Sequence, residues 1–186
     1  MPRMINTNLT RKSMAKYNQG VFHPLNTEKC KNPPNRPIVF RSSWEAMMFK
    51  WCDRNANVLE WSSEQHRIPY IDPRNGRTKI YLPDIWCKVK LDDGRIEEQI
   101  IEVKPLSETP SFAVARYKET GRKPSAYRQT MLLINQAKFK AAEQWCKMHG
   151  MRFIIMTENE IRTPRRKIRD ATNFQLVRGE RKAKRR

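Results

Sequence analysis

The order of periodicities along this chain predicts an α/β domain: one helix, three or four strands, a long second helix and a final strand, built as a mixed sheet flanked by helices. The first observation behind it is helical spacing. Trp44, Met47, Met48 and Trp51 recur at i, i+3, i+4 and i+7, and a longer helical pattern runs from Ala126 to His149. The second is a set of short apolar runs between those helices, separated by Pro, Asp, Asn and Gly. The third is charge. The 186 residues carry 38 Lys and Arg against 19 Asp and Glu, a net +19 concentrated at both ends. Residues 1–44 hold eight cations and one Glu, residues 161–186 hold eleven cations and two acids, and residues 45–160 are nearly balanced at nineteen against sixteen. The chain therefore divides into a basic N-terminal arm (1–40), a folded domain (41–160) and a basic C-terminal tail (161–186).

Within the arm, Asn32-Pro33-Pro34-Asn35-Arg36-Pro37 is a stiff irregular lead-in, with one short element expected near Arg11–Tyr17. Ser42-x-x-Glu45 has capping-box spacing and opens the first helix, which ends near Asp53–Asn57. Its stripe turns Trp44 and Met47 toward the core. Strands follow at Val58–Trp61 and Arg67–Ile71. The turn Asp72-Pro73-Arg74-Asn75-Gly76 leads into Lys79–Leu91, a strand locally interrupted at Pro83. Asp92-Asp93-Gly94-Arg95 signals a hairpin, and Glu98–Lys104 returns. Residues 105–125 read as a loop or irregular helix. Gly150 ends the second long helix, and Met151–Thr157 is a short apolar strand before Glu158-Asn159-Glu160.

Several classes are excluded. Mean hydropathy is −0.84, and no run approaches the roughly 18 apolar residues that span a bilayer. The start Met1-Pro2-Arg3-Met4-Ile5-Asn6 lacks the apolar stretch of a secretion signal, so an intracellular protein is expected. Cys30, Cys52, Cys87 and Cys146 form no C-x-x-C pair, and His23, His66 and His149 lack zinc-partner spacing, which argues against disulfide scaffolds and zinc modules. The basic ends favour a polyanion. Phosphate neutralisation releases counterions, and Arg181, Lys182, Lys184, Arg185 and Arg186 have nothing to bury.

The chemistry concentrates in Glu45, Pro83-Asp84 and Glu102-Val103-Lys104. Glu-x-Lys on a strand puts both side chains on one face, because side chains alternate. Carboxylates on neighbouring strands can share a hard divalent cation, with a helix carboxylate completing the oxygen set, and an ammonium beside them can orient or deprotonate water and stabilise charge on phosphorus. Register decides whether they meet. A plain two-residue turn makes opposed residues sum to 187 and sets Asp84 opposite Val103. A sum of 186 pairs Asp84 with Glu102, Ile85 with Ile101 and Pro83 with Val103, which segregates polar from apolar side chains. Segregation specifies register, so the hairpin is expected to have an odd-length loop or a bulge.

These residues keep a recurring order: Phe40-Arg41-Ser42-Ser43-Trp44-Glu45, Val58-Leu59-Glu60-Trp61, Tyr81-Leu82-Pro83-Asp84-Ile85, Ile101-Glu102-Val103-Lys104-Pro105, Asn135-Gln136-Ala137-Lys138 and Phe153-Ile154-Ile155-Met156-Thr157-Glu158. The series resembles the PD-(D/E)XK nuclease superfamily and, within it, the head completion nucleases of T-even-type bacteriophages. Endonuclease subunits of heteromeric transposases share much of the pattern; Tyr17-x-x-Gly-x-Phe-x-Pro-x-Asn26 tilts the resemblance toward the phage proteins. The resemblance implies a restriction-endonuclease-like αβββαβ core and Mg²⁺-dependent cleavage of double-stranded DNA, with Mn²⁺ able to substitute. It implies Asp84, Glu102, Lys104 and Glu45 as catalytic residues, the three carboxylates holding metal. It further implies work late in phage assembly, among head or neck proteins, in the virion and infected-host cytoplasm.

Plainer readings stand beside these. Glu45 as third residue of a capping box can simply satisfy a backbone amide. Glu102 and Lys104 can form a solvated strand face, although Ile100, Ile101 and Val103 mark the strand as central, where unpaired charge is costly. Glu60 and Glu64 read as surface residues. Arg116, Lys118, Arg122 and Lys123 around Tyr117 suit phosphate and base contacts; Asn135, Gln136 and Lys138 either reach DNA or face solvent. The alternatives to a phage nuclease are a DNA-cleaving transposase subunit and a DNA-binding virion protein that no longer cuts.

Overall fold

The computed structural model describes residues 19–161. The element expected at 11–17, Tyr17 of the N-terminal motif and the tail cations Arg181, Lys182, Lys184, Arg185 and Arg186 lie outside the described residues.

Helix α1 (Ser43–Arg54) opens as its capping box dictates: Ser42 Oγ accepts from the Glu45 N–H at 3.1 Å. The central sheet contains β3 (Val58–Ser63), β6 (Ile85–Lys90), β7 (Ile96–Val103) and β8 (Arg152–Met156), in the order β3-β6-β7-β8. The β3/β6 and β6/β7 pairs are antiparallel and β7/β8 is parallel, a mixed sheet. The β6–β7 hairpin holds the 186 register throughout, with Ile85 opposite Ile101 and Lys90 opposite Ile96, around a loop closed by the Leu91 N–H donating to the Arg95 carbonyl. Segregation therefore set the register as expected.

Both faces of the sheet are covered. Ile85, Cys87, Val89, Ile101 and Val103 pack with Trp44, Met48, Phe49 and Cys52 of α1. On the opposite face Trp86 and Ile100 pack with Ile134, Ala142 and Cys146 of α3 (Ala126–Met148), together with Ile68, Tyr70 and Tyr81. Those last three come from a separate ribbon, β4 (Ile68–Ile71) paired with β5 (Thr78–Tyr81). Inner strands that are apolar on both sides are a general mark of sheets buried between two layers.

The structure departs from the sequence-based expectations in four places. The α1 stripe runs through Trp44, Met48, Phe49 and Cys52, while Met47 is exposed. The run Lys79–Leu91 is two strands in two sheets, divided at Leu82-Pro83-Asp84. Residues 105–125 contain a 3-10 turn (Leu106–Glu108) and an eleven-residue helix, α2 (Pro110–Thr120), which starts with Pro at N1 and stops at Gly121 in the left-handed conformation. Finally, the described part of the predicted arm is folded onto the domain. β1 (Gly20–Phe22) pairs with β2 (Ile38–Phe40), and the Phe22 ring packs 5.7 Å from Phe49 and 5.8 Å from Trp61. The Leu25 and Asn26 N–H groups donate to the fully buried Asp53 carboxylate at 3.1 and 3.0 Å, which explains how an aspartate is tolerated there. Truncating Phe49 would remove the centre of this cluster, a loss of about 3–5 kcal/mol. All four cysteines are free. Glu158–Ile161 forms a last short helix, α4.

Candidate active site

Asp84 immediately precedes β6, so the 186 register brings it to the end of β7. There the Val103 N–H donates to Asp84 Oδ2 at 2.8 Å. Glu102, 3% exposed, faces the α3 side. Its Oε1 lies 3.1 Å from Lys104 Nζ, and its Oε2 accepts from the Tyr81 hydroxyl at 2.6 Å. The Lys104 backbone is pinned in turn by its N–H donating to the Met156 carbonyl of β8 at 2.9 Å. The three residues expected from the Pro-Asp and Glu-x-Lys spacing thus converge at one end of the sheet.

Two carboxylates in one place repel, Glu102 buried and Asp84 partly so. Burial, then the Glu102 charge, then Glu45 hold the Asp84 carboxyl well above the ordinary aspartate range, against the opposing pull of Lys104 and the Val103 N–H. Burial works against the Lys104 charge, but Glu102 and Asp84 outweigh it, and its pKa lies above the ordinary lysine value. Burial and the Glu102 charge push the Tyr81 phenol far upward, so it stays a donor.

Glu45 approaches from α1. Its Oε2 accepts from the Arg41 N–H at 2.8 Å and its Oε1 from Ser42 Oγ at 3.0 Å, so the capping reading describes its contacts, while its charge still raises Asp84. Among the described residues, no group of three or more His, Cys, Asp or Glu side chains could hold a metal ion. The expected three-carboxylate set therefore contracts to the pair Asp84 and Glu102. That pair fits a hard divalent cation, which commonly takes one or two carboxylates and completes its shell with water and phosphate oxygen.

Lys138 lies beside this centre, its ammonium 5.4 Å from the Tyr81 ring and 5.7 Å from Tyr70. Burial and Lys104 lower its pKa, with Glu102 and Asp84 opposing. Asn135 is buried and donates to the Glu108 carbonyl at 3.1 Å, bracing the turn after Lys104 instead of facing solvent. Arg116 and Lys118 are exposed on α2, and Arg122 and Lys123 are exposed on the loop after it. Glu60 pairs with Lys31 at 3.3 Å. Glu64 pairs with Arg41 at 2.5 Å, takes a positive φ of 50°, and donates its N–H to the Asp84 carbonyl at 3.2 Å. Sequence reasoning assigned no role to Tyr81 or Arg41; for Tyr81 the available signal was its position three residues before Asp84.

A Pro-Asp and a Glu-x-Lys carried on adjacent strands of a mixed, helix-flanked sheet define a PD-(D/E)XK-type nuclease. Residues 55–158 match the family described as TnsA-like endonuclease N terminal, and the chain belongs to that family. The head completion nuclease of Enterobacteria phage T4 is 33% identical over 144 residues, covering 77% of this chain and 93% of that protein. Among the described residues no helix is long and apolar enough to cross a membrane.

Proposed function

We propose that this chain is a Mg²⁺-dependent endonuclease that cuts double-stranded DNA during completion of phage heads. The observation that carries the reading is the convergence of Asp84, Glu102 and Lys104 through the β6–β7 register. Similarity to a head completion nuclease along 93% of that protein's length favours the phage setting over a transposase subunit. The convergence of all three residues at one end of the sheet argues against a non-cutting DNA-binding protein. In this reading the chain works in infected-host cytoplasm and the virion, beside other head or neck proteins.

Nucleases of this class generally use divalent metal ions. A divalent cation held by Asp84 and Glu102, with Mn²⁺ able to replace Mg²⁺, would supply Lewis acidity and acidify a bound water. The chain's own residues do the remaining work. Tyr81 and Lys104 fix the Glu102 carboxylate from its two oxygens. Lys104 presents an ammonium to the charge that builds on phosphorus. Glu45 borders the site from α1 and orders Arg41 and Ser42. Arg116, Lys118, Arg122, Lys123 and Lys138 hold the DNA backbone, joined by the tail cations; Asn135 acts indirectly, through the turn it braces.

Nicking of supercoiled plasmid in Mg²⁺, in Mn²⁺ and in EDTA tests the proposal. Cleavage should need the divalent cation and disappear in Asp84→Ala and Glu102→Ala. Absence of cleavage with every divalent ion, or cleavage undiminished in both variants, would sink it.

A further inference from the structure

The β4–β5 ribbon stands apart from the central sheet, and beyond Tyr81 at its end it has no part in the chemistry above. Residues 67–81 carry Arg67, Arg74, Arg77 and Lys79 against a single carboxylate, Asp72. That carboxylate is fully buried. Its oxygens take Arg74 Nη2 at 2.7 Å and Lys79 Nζ at 2.8 Å, and also the Arg74 backbone N–H at 3.0 Å. The Asp72 carbonyl accepts the Asn75 and Gly76 N–H groups at 3.2 and 2.9 Å, and the Arg77 N–H donates to Asn75 Oδ1 at 3.1 Å. The tip is therefore a built turn, with cations folded over and held by the Asp72 carboxylate.

We infer that this ribbon is a preorganised arm that grips duplex DNA beside the cut, its tip cations lying against phosphates. Three observations support it. First, charge: four cations on so short a strand-turn-strand complement a polyanion, and Arg74 and Lys79 keep half their surface or nearly so in solvent (50% and 42%) while bound to Asp72. Second, shape: a two-stranded ribbon is one of the elements a DNA major groove admits. The outward face of this one, Pro69, Ile71 and Ile80, is exposed, leaving apolar side chains for sugars and thymine methyls. Third, continuity: the ribbon ends at Tyr81, whose hydroxyl holds Glu102, and the chain then runs through Pro83 to Asp84. DNA held on the ribbon is thereby placed at the catalytic carboxylates. The inference rests on the nuclease reading and names the substrate contact of that same site.

The test is binding of a short fluorescein-labelled duplex by the full chain in EDTA, read by anisotropy across a salt series. Arg77→Ala should weaken binding several-fold and lower the log–log salt slope by about 0.9, the value of one lost phosphate contact on duplex DNA. Asp72→Asn should also weaken binding, although it makes the protein more positive, because Arg74 and Lys79 lose their anchor. A surface acting through net charge alone would bind more tightly in Asp72→Asn. Unchanged affinity and slope in Arg77→Ala, or tighter binding in a folded Asp72→Asn, overturns the inference; should Asp72→Asn fail to fold by circular dichroism, exposed Arg77 decides it alone. Because the assay contains no metal, it is independent of cutting: a wild-type chain that binds through the ribbon yet never nicks plasmid would defeat the nuclease reading instead.

Discussion

The Tyr81 hydroxyl donates to Glu102 Oε2 at 2.6 Å while the Lys104 ammonium sits 3.1 Å from Oε1, so the buried carboxylate is held from both of its oxygens. The two donors come from different sheets. Lys104 follows β7, and Tyr81 closes a ribbon packed on α3, with Lys138 above its ring. The orientation of Glu102 thus depends on the ribbon's docking as well as on its own strand.

Removing that hydroxyl should slow cleavage and leave DNA binding alone. A hydrogen bond to a charged group contributes about 1.5–3 kcal/mol, so Tyr81→Phe should lose roughly ten- to a hundredfold in kcat. Its duplex affinity in EDTA should match wild type, because the hydroxyl is buried. A wild-type kcat in the folded variant would show that Lys104 alone orients Glu102.

Replacing the Asp84 carboxylate should stabilise the metal-free protein while abolishing cleavage. The Asp84 carboxyl is raised by burial and by Glu102, so the native state binds its proton more readily than the unfolded chain does. Stability then falls as pH rises past the ordinary aspartate value, and at neutral pH the ionised group is a net penalty. Asp84→Asn keeps an oxygen for the Val103 N–H and removes the charge. Its melting temperature in EDTA at pH 7 should exceed that of the wild type. Duplex binding should be equal or tighter, since repulsion of phosphate is reduced. A lower melting temperature would mean that the carboxylate is instead stabilised by its surroundings.

The site was legible where one strand pair determines it. Ile85, Ile101 and Val103 alternate with Asp84, Glu102 and Lys104, and only one register keeps those sets apart, so sequence alone aligned those three polar residues. Tyr81 was not legible, because its partner depends on a ribbon folding back onto α3, a contact of no fixed spacing. The α2 helix was legible only as a loop or irregular helix for a related reason: none of its residues is buried, so it has no apolar stripe. Pro110 at N1 and Gly121 as its stop were the available signals, and both read equally as loop. Residues 20–40 looked like an arm because their anchors are scattered long-range contacts, such as Phe22 on Phe49 and Trp61 and two backbone donors to Asp53, with no periodicity to betray them.

His66 should impose an acid-side loss of stability. Its ring lies 5.0 Å from Trp145 and 6.1 Å from Trp86, with Nε2 buried and unpartnered. Burial lowers its pKa, aided by His149 and opposed by Glu98. The unfolded chain therefore takes up the proton first, and stability drops as pH falls below the ordinary histidine value of about 6.5. His66→Phe keeps a ring between the tryptophans and removes the titration, so its melting temperature should vary less between neutral pH and pH 5. A parallel decline in both proteins would assign the acid sensitivity elsewhere.

Deleting residues 179–186 should weaken DNA binding without lowering the melting temperature. The deleted stretch carries Arg181, Lys182, Lys184, Arg185 and Arg186 against Glu180, and no apolar residue larger than alanine to bury. If those cations reach phosphates, the log–log salt slope should fall by up to about four units, at roughly 0.9 for each contact on duplex DNA. In the proposed reading the ribbon and α2 supply phosphate contacts of their own, so cleavage at saturating DNA in low salt should persist. The competing role is docking on an acidic face of another head protein. That role predicts a truncated chain that binds and cuts naked DNA at full strength, with the slope unchanged, yet fails when added to unfinished heads. An unaltered slope would therefore move the tail from the substrate side of the reaction to the assembly side.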